Sequence, residues 1–330
     1  MGTIARRLLQ LVVVVILSTL FAFSLLRLFP GDAADAVIPF GTEQQREQFR
    51  EDNGLDEPFL SQYLSWLGNL VQGDLGKDYQ SNTPVSDKLE AALPVSLQLM
   101  LYAQIIALVI AIPLGVLTAY RANTATDRTL NAGAFALLAL PSFVLALVLA
   151  YFVGVQLQPD LPILGQIPVT GYEPGWLEAA FGQDTGNIGH HVGTLLLPAI
   201  SLAAGLVAVY MRLLRSDMIA TLQENYITMA RAKGLSDRRI LWRHALRPSS
   251  LTLLTVAGLN FGTLIGGAVA VEVIFSVPGL GTLIYQAINA RQLVELQSYI
   301  ALIAIFYVLL NFTIDALYVV LDPRIRRAHA

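Results

Sequence analysis

The chain alternates long apolar runs with polar connections, and the runs are of membrane-crossing length. A helix that crosses the hydrocarbon core needs about 20 mostly apolar residues. Six segments meet that requirement: about 8–29, 94–119, 130–157, 192–211, 251–272 and 298–321. Residues 91–120 and 129–159 contain no Asp, Glu, Lys or Arg. The pattern predicts an all-α, polytopic membrane protein with about six transmembrane helices. Pro113, Pro141 and Pro198 lie inside apolar runs. Soluble helices break at such positions, whereas a membrane bundle tolerates the kinks because neighbouring groups re-satisfy the freed carbonyls.

The uncharged run 273–290 raises the question of a seventh span, but Pro278, Gly279 and Gly281 interrupt it early. It reads as a turn followed by a short helix at the surface. At the other end, Arg6 and Arg7 before an apolar run are reminiscent of a secretory signal. The run at 8–29 is longer than a typical signal core and no clear small-x-small site follows it, so an uncleaved first span is expected.

Basic residues orient the bundle. Arg6 and Arg7 precede the first span, Arg121 and Arg128 separate the second from the third, and Arg324, Arg326 and Arg327 follow the last. Between the fourth and fifth come Arg212, Arg215, Arg231, Lys233, Arg238, Arg239, Arg243 and Arg247. Six spans place all of these on one side, and the positive-inside rule makes that side cytoplasmic, with both termini. The opposite face is acidic: residues 30–93 carry twelve Asp or Glu against four Lys or Arg. A seventh span would export the basic C-terminus, which argues against it again. The expected organisation is one transmembrane domain over 1–330, with a long extracytoplasmic loop at 30–93 and a basic cytoplasmic loop at 212–250.

Composition agrees. Only 14% of the 330 residues are charged, 55% are hydrophobic, and the mean hydropathy is +0.59. An ordinary soluble domain is about one quarter charged, so lipid must serve as much of the solvent. The absence of cysteine excludes disulfides, thiolate catalysis and iron–sulfur clusters.

Catalytic signatures are missing: the chain has no G-x-x-x-x-G-K-[ST], no H-E-x-x-H and no G-x-S-x-G. It is therefore read as non-catalytic, with no cofactor or metal of its own and no nucleic-acid partner. Adjacent His190 and His191 fit a metal less well than a polar pair at the outer end of a span. Ionisable and polar residues inside spans are functional suspects by default. Arg27 lies close enough to Pro30 to snorkel to the interface. Glu272 sits at the outer end of the fifth span, Asp315 in the inner half of the sixth, and Asn311 shares a helical face with Asp315. Gly258, Gly262 and Gly266 give consecutive G-x-x-x-G steps, which read first as helix packing. Asn260 among them is a candidate lining residue for a translocation path.

The loop at 212–250 is the most informative segment. From Ser216 to Lys233 its composition predicts a helix, with Met218, Ile219, Leu222, Tyr226, Met229 and Ala230 forming an apolar stripe. Gly234 suits a helix C-cap, and Ser236 or Asp237 can cap a second basic helix ending near Pro248. Two readings fit equally on composition: an amphipathic helix held by anionic membrane lipid, or a docking element for another protein.

The run Tyr226-Ile-Thr-Met-Ala-Arg-Ala-Lys-Gly-Leu235, followed by His244-Ala-Leu-Arg247, resembles the cytoplasmic loop signature of binding-protein-dependent ABC transporter permeases. The branch it resembles imports dipeptides, oligopeptides, nickel and related solutes. The usual Glu-Ala-Ala of that signature stands here as Thr228, Met229 and Ala230. Further resemblances follow in order: Pro30-Gly31-Asp32, Gly54-Leu-Asp-Glu-Pro58, Gly73-Asp-Leu-Gly76, Leu197-Pro198-Ala199, Glu272 to Gly281, and Leu321-Asp-Pro-Arg-Ile-Arg326. Residues 291–297 depart, reading Arg-Gln-Leu-Val-Glu-Leu-Gln where the family carries an Arg-Asp-Tyr-Pro-like segment.

The resemblance implies the MetI-like type I importer permease fold, in the manner of the first of two permease subunits. It implies a bacterial or archaeal plasma membrane and a peptide cargo. The implied partners are a second, homologous permease, two ATP-binding subunits holding ATP and Mg, and an extracytoplasmic solute-binding protein. Glu224, Tyr226, Thr228, Ala230, Arg231, Lys233, Gly234 and Leu235 would contact an ATPase, and Asn260, Glu272, Asn311 and Asp315 would lie near the path. The alternative from another class is a self-sufficient, ion-coupled secondary transporter, which needs coupling residues at the midplane.

Overall fold

A computed structural model describes residues 2–26, 33–157, 168–177 and 188–321. Arg27, the Pro30-Gly31-Asp32 turn, the basic end at Arg324, Arg326 and Arg327, and the side chain of Asp315 lie outside the described residues. The regular elements among the described residues are helices: α1 Gly2–Leu26, α2 Ala33–Val37, α3 Glu43–Asp52, α4 Phe59–Val71, α5 Val85–Tyr120, α6 Ala125–Ala139 and α7 Ser142–Tyr151. After a π-helical turn at Phe152–Leu157 come α8 Ile188–Leu222, α9 Asn225–Ala232, α10 Leu246–Phe275, α11 Leu280–Asn289 and α12 Leu293–Leu321.

The six apolar segments fall in order on α1, α5, the α6–α7 pair, α8, α10 and α12. Four helical stretches are long and apolar enough to cross a membrane: α5, α8, the path Asp237–Phe275 that contains α10, and α12. The α6–α7 pair makes a fifth if counted as one span. α1 has 25 residues, about 37 Å of helix, with an apolar stretch at Val12–Ser24. The chain is thus an all-α, multi-pass membrane protein.

One span departs from expectation. The segment 130–157 is not a single helix, because α6 and α7 meet at 97°. Pro141 has no N–H to offer, and the residue before a proline is driven out of the α region. Leu140 accordingly takes φ −89°, ψ 119°, and Pro141 becomes the N-cap of α7. Pro113 and Pro198, by contrast, sit within uninterrupted helices.

The end of α10 explains why 273–290 does not continue as a span. Ser276 adopts the left-handed conformation (φ 56°, ψ 40°), with Val277 N donating to Glu272 O at 2.9 Å and Ser276 N to Val273 O at 3.3 Å. This pair of bonds is the Schellman closure of a helix. Pro278 follows, and the short helix α11 begins at Leu280, as the sequence pattern predicts.

By backbone contacts the chain divides into two units, Met1–Ser96 with Pro278–Leu309, and Leu97–Val277 with Leu310–Ala330. The first holds two apolar clusters, one of Val15, Phe23, Tyr63, Trp66, Ala301 and Ala304, the other of Val85, Leu89, Leu280, Ala287, Leu296 and Tyr299. Its loop is fastened by polar contacts. Trp66 Nε1 donates to Ser298 Oγ (3.2 Å), which donates to Leu75 O (2.7 Å). Lys88 Nζ bridges the carboxylates of Asp78 and Glu295, the latter at 2.7 Å. Gln292 adds a hydrogen bond to Asp78 Oδ1 (2.9 Å) and accepts one from Tyr79 N (3.1 Å). Residues 291–297, where the sequence departs from the family segment, therefore anchor the loop. In the second unit α8 packs against α6, α7 and α10.

Burial raises the Asp78 carboxyl, but bonds from Lys88, Gln80 N–H and the Ser81 hydroxyl outweigh it and hold it below its ordinary value. A carboxyl lowered on folding contributes stability that is present above its unfolded pKa and lost as pH falls through the folded one. Lys88→Met should cost about 3 kcal/mol at neutral pH, since it leaves two buried carboxylates without their cation. In thermal unfolding the deficit should shrink below about pH 4 as the Asp78 carboxyl takes up a proton, and Lys88→Arg should recover most of it.

Candidate functional site

The connection between α8 and α10 folds into a short helix with two distinct faces. α9 has eight residues, Asn225–Ala232. Glu224 is its N-cap, extended at φ −68°, ψ 146°, placing a carboxylate at the positive end of the helix. Arg231 lies in the last turn, where a cation is favoured. Lys233 is the C-cap and Gly234 follows at φ +75°. Gly234 N donates to Arg231 O (2.9 Å) and Leu235 N to Ala230 O (3.2 Å), a Schellman closure that needs the left-handed residue. Glycine is therefore required at 234 by backbone conformation; a Cβ there would meet no atom within 4 Å.

The inward face is apolar. Ile227 (0% exposed) and Ala230 (7%) pack with Ile240 (1%), and Leu222 and Leu235 close the cluster. The outward face carries Thr228, Arg231 and Lys233 with two uncovered apolar side chains, Tyr226 (45% exposed) and Met229 (60%). Trp242, also apolar and exposed, stands on the π-helical turn Ile240–Ala245 that precedes α10.

These positions correct the sequence reading in three respects. The helix expected over 216–233 is interrupted at Gln223–Glu224, because α8 runs on to Leu222 and a new helix starts after the Glu224 N-cap. Swinging α9 out of the α8 axis is what lets Ile227 reach Ile240, and tertiary packing overrides helix propensity here. The stripe is also redistributed: Met218, Leu222 and Ala230 face packing partners, Tyr226 and Met229 face outward, and Ile227 takes the buried place. The second helix does not end near Pro248. It continues through the π-helical turn Ile240–Ala245 into α10, with Pro248 shortly after that turn.

α9 is bracketed by elements of its own unit. Thr221 Oγ1 and Ser249 Oγ lie 3.0 Å apart, joining the end of α8 to the start of α10. Tyr120 Oη donates to Asp237 Oδ2 (3.2 Å). Arg215 makes a two-pronged contact with Asp127, Nε to Oδ1 and Nη2 to Oδ2 at 2.7 Å each, which ties α8 to α6.

The proposed path residues are not gathered at one point. Asn260 and Glu272 lie twelve residues apart on α10, about 18 Å along its axis. Asn260 interacts with the Tyr210 hydroxyl, which donates to Gln104 Oε1 at 3.2 Å. Gln104, Tyr210 and Asn260 thus form a polar cluster from three helices, with Tyr210 fully buried. The sequence reading missed the first two, although Gln104 stands out as an amide inside the uncharged run 91–120. Glu272 is fully buried in the last turn of α10. Asn311 Oδ1 is buried and has no hydrogen-bond partner among the described residues. Asp315 lies on α12 beyond the described side chains. Gly258 has the packing role, since a Cβ there would stand 3.0 Å from Ile314. In the first turn of α8, His191 Nδ1 bonds Glu173 O (2.6 Å) and His190 pairs with the Glu173 carboxylate.

The buried and exposed faces of α9 should respond differently to truncation. Ile227→Ala should loosen the helix by about 2–5 kcal/mol and speed amide exchange across 225–235. Met229→Ala should leave exchange in that segment unchanged.

Residues 111–327 match the family described as binding-protein-dependent transport system inner membrane component, and residues 1–100 match its N-terminal membrane component. The chain is 38% identical, over 98% of both sequences, to the oligopeptide transport system permease protein AppB of Bacillus subtilis. It is 35% identical to the di/tripeptide transport system permease protein DppB of Pseudomonas aeruginosa, again over 98% of both. Against the dipeptide transport system permease protein DppB of Alkalihalophilus pseudofirmus the identity is 32%, over 97% of this chain and 98% of the relative.

Proposed function

The chain belongs to the family of binding-protein-dependent transport system inner membrane components, and on that premise we propose that α9 is the part through which ATP hydrolysis moves the spans. The chain is a permease subunit of an ABC peptide importer, the cargo class borne by the names of its end-to-end relatives. It contributes half of a translocation path, and a second, homologous permease contributes the other half. A pair of ATP-binding subunits sits on the cytoplasmic side and carries the ATP and Mg; this chain binds neither and performs no catalysis. A solute-binding protein docks on the other side, received by the loop 30–93. The chain works as one permease domain in a bacterial plasma membrane, with both termini cytoplasmic. The ion-coupled alternative is not favoured.

One observation carries the coupling assignment: an eight-residue helix buries Ile227 and Ala230 against its own chain while leaving Tyr226 and Met229 uncovered. Exposed apolar side chains beside Arg231 and Lys233 suit a groove on a partner. Glu224, Thr228, Arg231 and Lys233 would form the polar rim of that contact, and Ala230, Gly234 and Leu235 would hold its shape. When the ATP-binding subunits close, they displace α9. Because Ile227 is seated on Ile240 and the helix follows directly from α8, the displacement passes to spans four and five. Alternating access follows, with Asn260, Glu272, Asn311 and Asp315 as the polar positions nearest the solute.

Gly234→Val tests this. A β-branched residue at a left-handed position costs about 1–2 kcal/mol and deforms the closure of α9. In the reconstituted importer, transport per ATP hydrolysed should fall by about tenfold while hydrolysis persists. Normal transport with normal stimulated hydrolysis would refute the assignment.

A further inference from the structure

A cavity in the same unit, apart from α9, has the chemistry of a phospholipid site. It measures about 720 Å3 and lies between α6 and α8, and Arg128, Arg212, Arg215 and Asp127 are among the residues that line it. Asp127 is saturated. Its Oδ1 accepts from Arg215 Nε and Asn131 Nδ2, and its Oδ2 accepts from Arg215 Nη2 and Asn123 N. A carboxylate offers about four acceptor sites, so none remains for another cation. Arg128 and Arg212 consequently face the cavity without a carboxylate partner among the described residues. Arg212 is held there, its Cζ 4.5 Å from the centre of the Phe135 ring.

Phe135 and Leu138 line the same cavity and are uncovered. Phe135 is 56% exposed and Leu138 45%. On α6 they lie seven and ten residues beyond Arg128, about 10 and 15 Å along the helix. Arg128 and Arg212 flank the inner ends of spans three and four. The cavity thus offers two guanidiniums to a phosphate and, at Phe135 and Leu138, apolar surface to an acyl chain. A soluble phosphate would leave the apolar half uncovered.

We propose that this cavity binds the headgroup and one acyl chain of an anionic phospholipid such as phosphatidylglycerol. The assignment rests on the cytoplasmic orientation given above but not on the coupling role of α9. Its test is retention of lipid by the complete importer, extracted from bilayers of three parts phosphatidylcholine to one part phosphatidylglycerol and read by native mass spectrometry. The intact protein should retain phosphatidylglycerol selectively. Arg128→Gln with Arg212→Gln should lower that retention by about fivefold for each charge removed, while Arg128→Lys with Arg212→Lys should keep most of it. Should the Gln pair fail to assemble, Leu138→Ser on the apolar wall must lower retention by itself. Equal retention of phosphatidylcholine, unaltered retention in the Gln pair, or full displacement of the lipid by inorganic phosphate would each overturn the proposal. So would a disulfide from Leu138→Cys to a cysteine placed on the second permease, since a protein would then occupy the wall. Coupled transport measured in parallel keeps failure here separate from failure of the α9 assignment.

Discussion

A helix of eight residues forms too few backbone hydrogen bonds to persist alone in water. α9 exists because Ile227 and Ala230 are buried against Ile240, with Leu222 and Leu235 closing the contact. That small apolar cluster is the condition on which the functional account depends. It fixes which side chains of α9 remain outward, and it seats α9 against Ile240 beside the start of α10. The ends serve the same purpose, with the Glu224 carboxylate at the positive end of the helix and the left-handed Gly234 closing the other.

The surrounding contacts extend this constraint rather than replace it. Thr221 with Ser249 joins the helices on either side of α9, Tyr120 reaches Asp237, and Arg215 clamps Asp127. Polar links of this kind lie near the ends of the long apolar helices. The first unit follows a similar logic with charge, where Lys88 holds Asp78 and Glu295 together. Its loop is thereby fastened to the 291–297 segment of the same unit.

Much of this was legible in the sequence because lipid imposes a strict rule: backbone groups must be satisfied internally, so long apolar runs become helices. The six segments, the turn at Pro278 and the glycine closure at 234 all follow from local chemistry. What was not legible depended on tertiary contact. Pro113, Pro141 and Pro198 look alike in sequence, yet among them the sharp bend is at Pro141. The stripe from Met218 to Ala230 reads as one face only if the helix is continuous. Once the chain turns at Glu224, Tyr226 and Met229 point outward and Ile227 inward. Gln104 and Tyr210 were hidden for a similar reason, since a polar residue in a span reveals its partner only after helices pack.

The central claim is that the outward face of α9 meets an ATP-binding subunit. The chain contains no cysteine, so a single introduced thiol reports on one position. Thiol cross-linking of Met229→Cys in the assembled importer should capture an ATP-binding subunit, while Ile227→Cys, buried against Ile240, should not. Absence of any cross-link from Met229→Cys, with the complex intact and turning over ATP, would contradict the account.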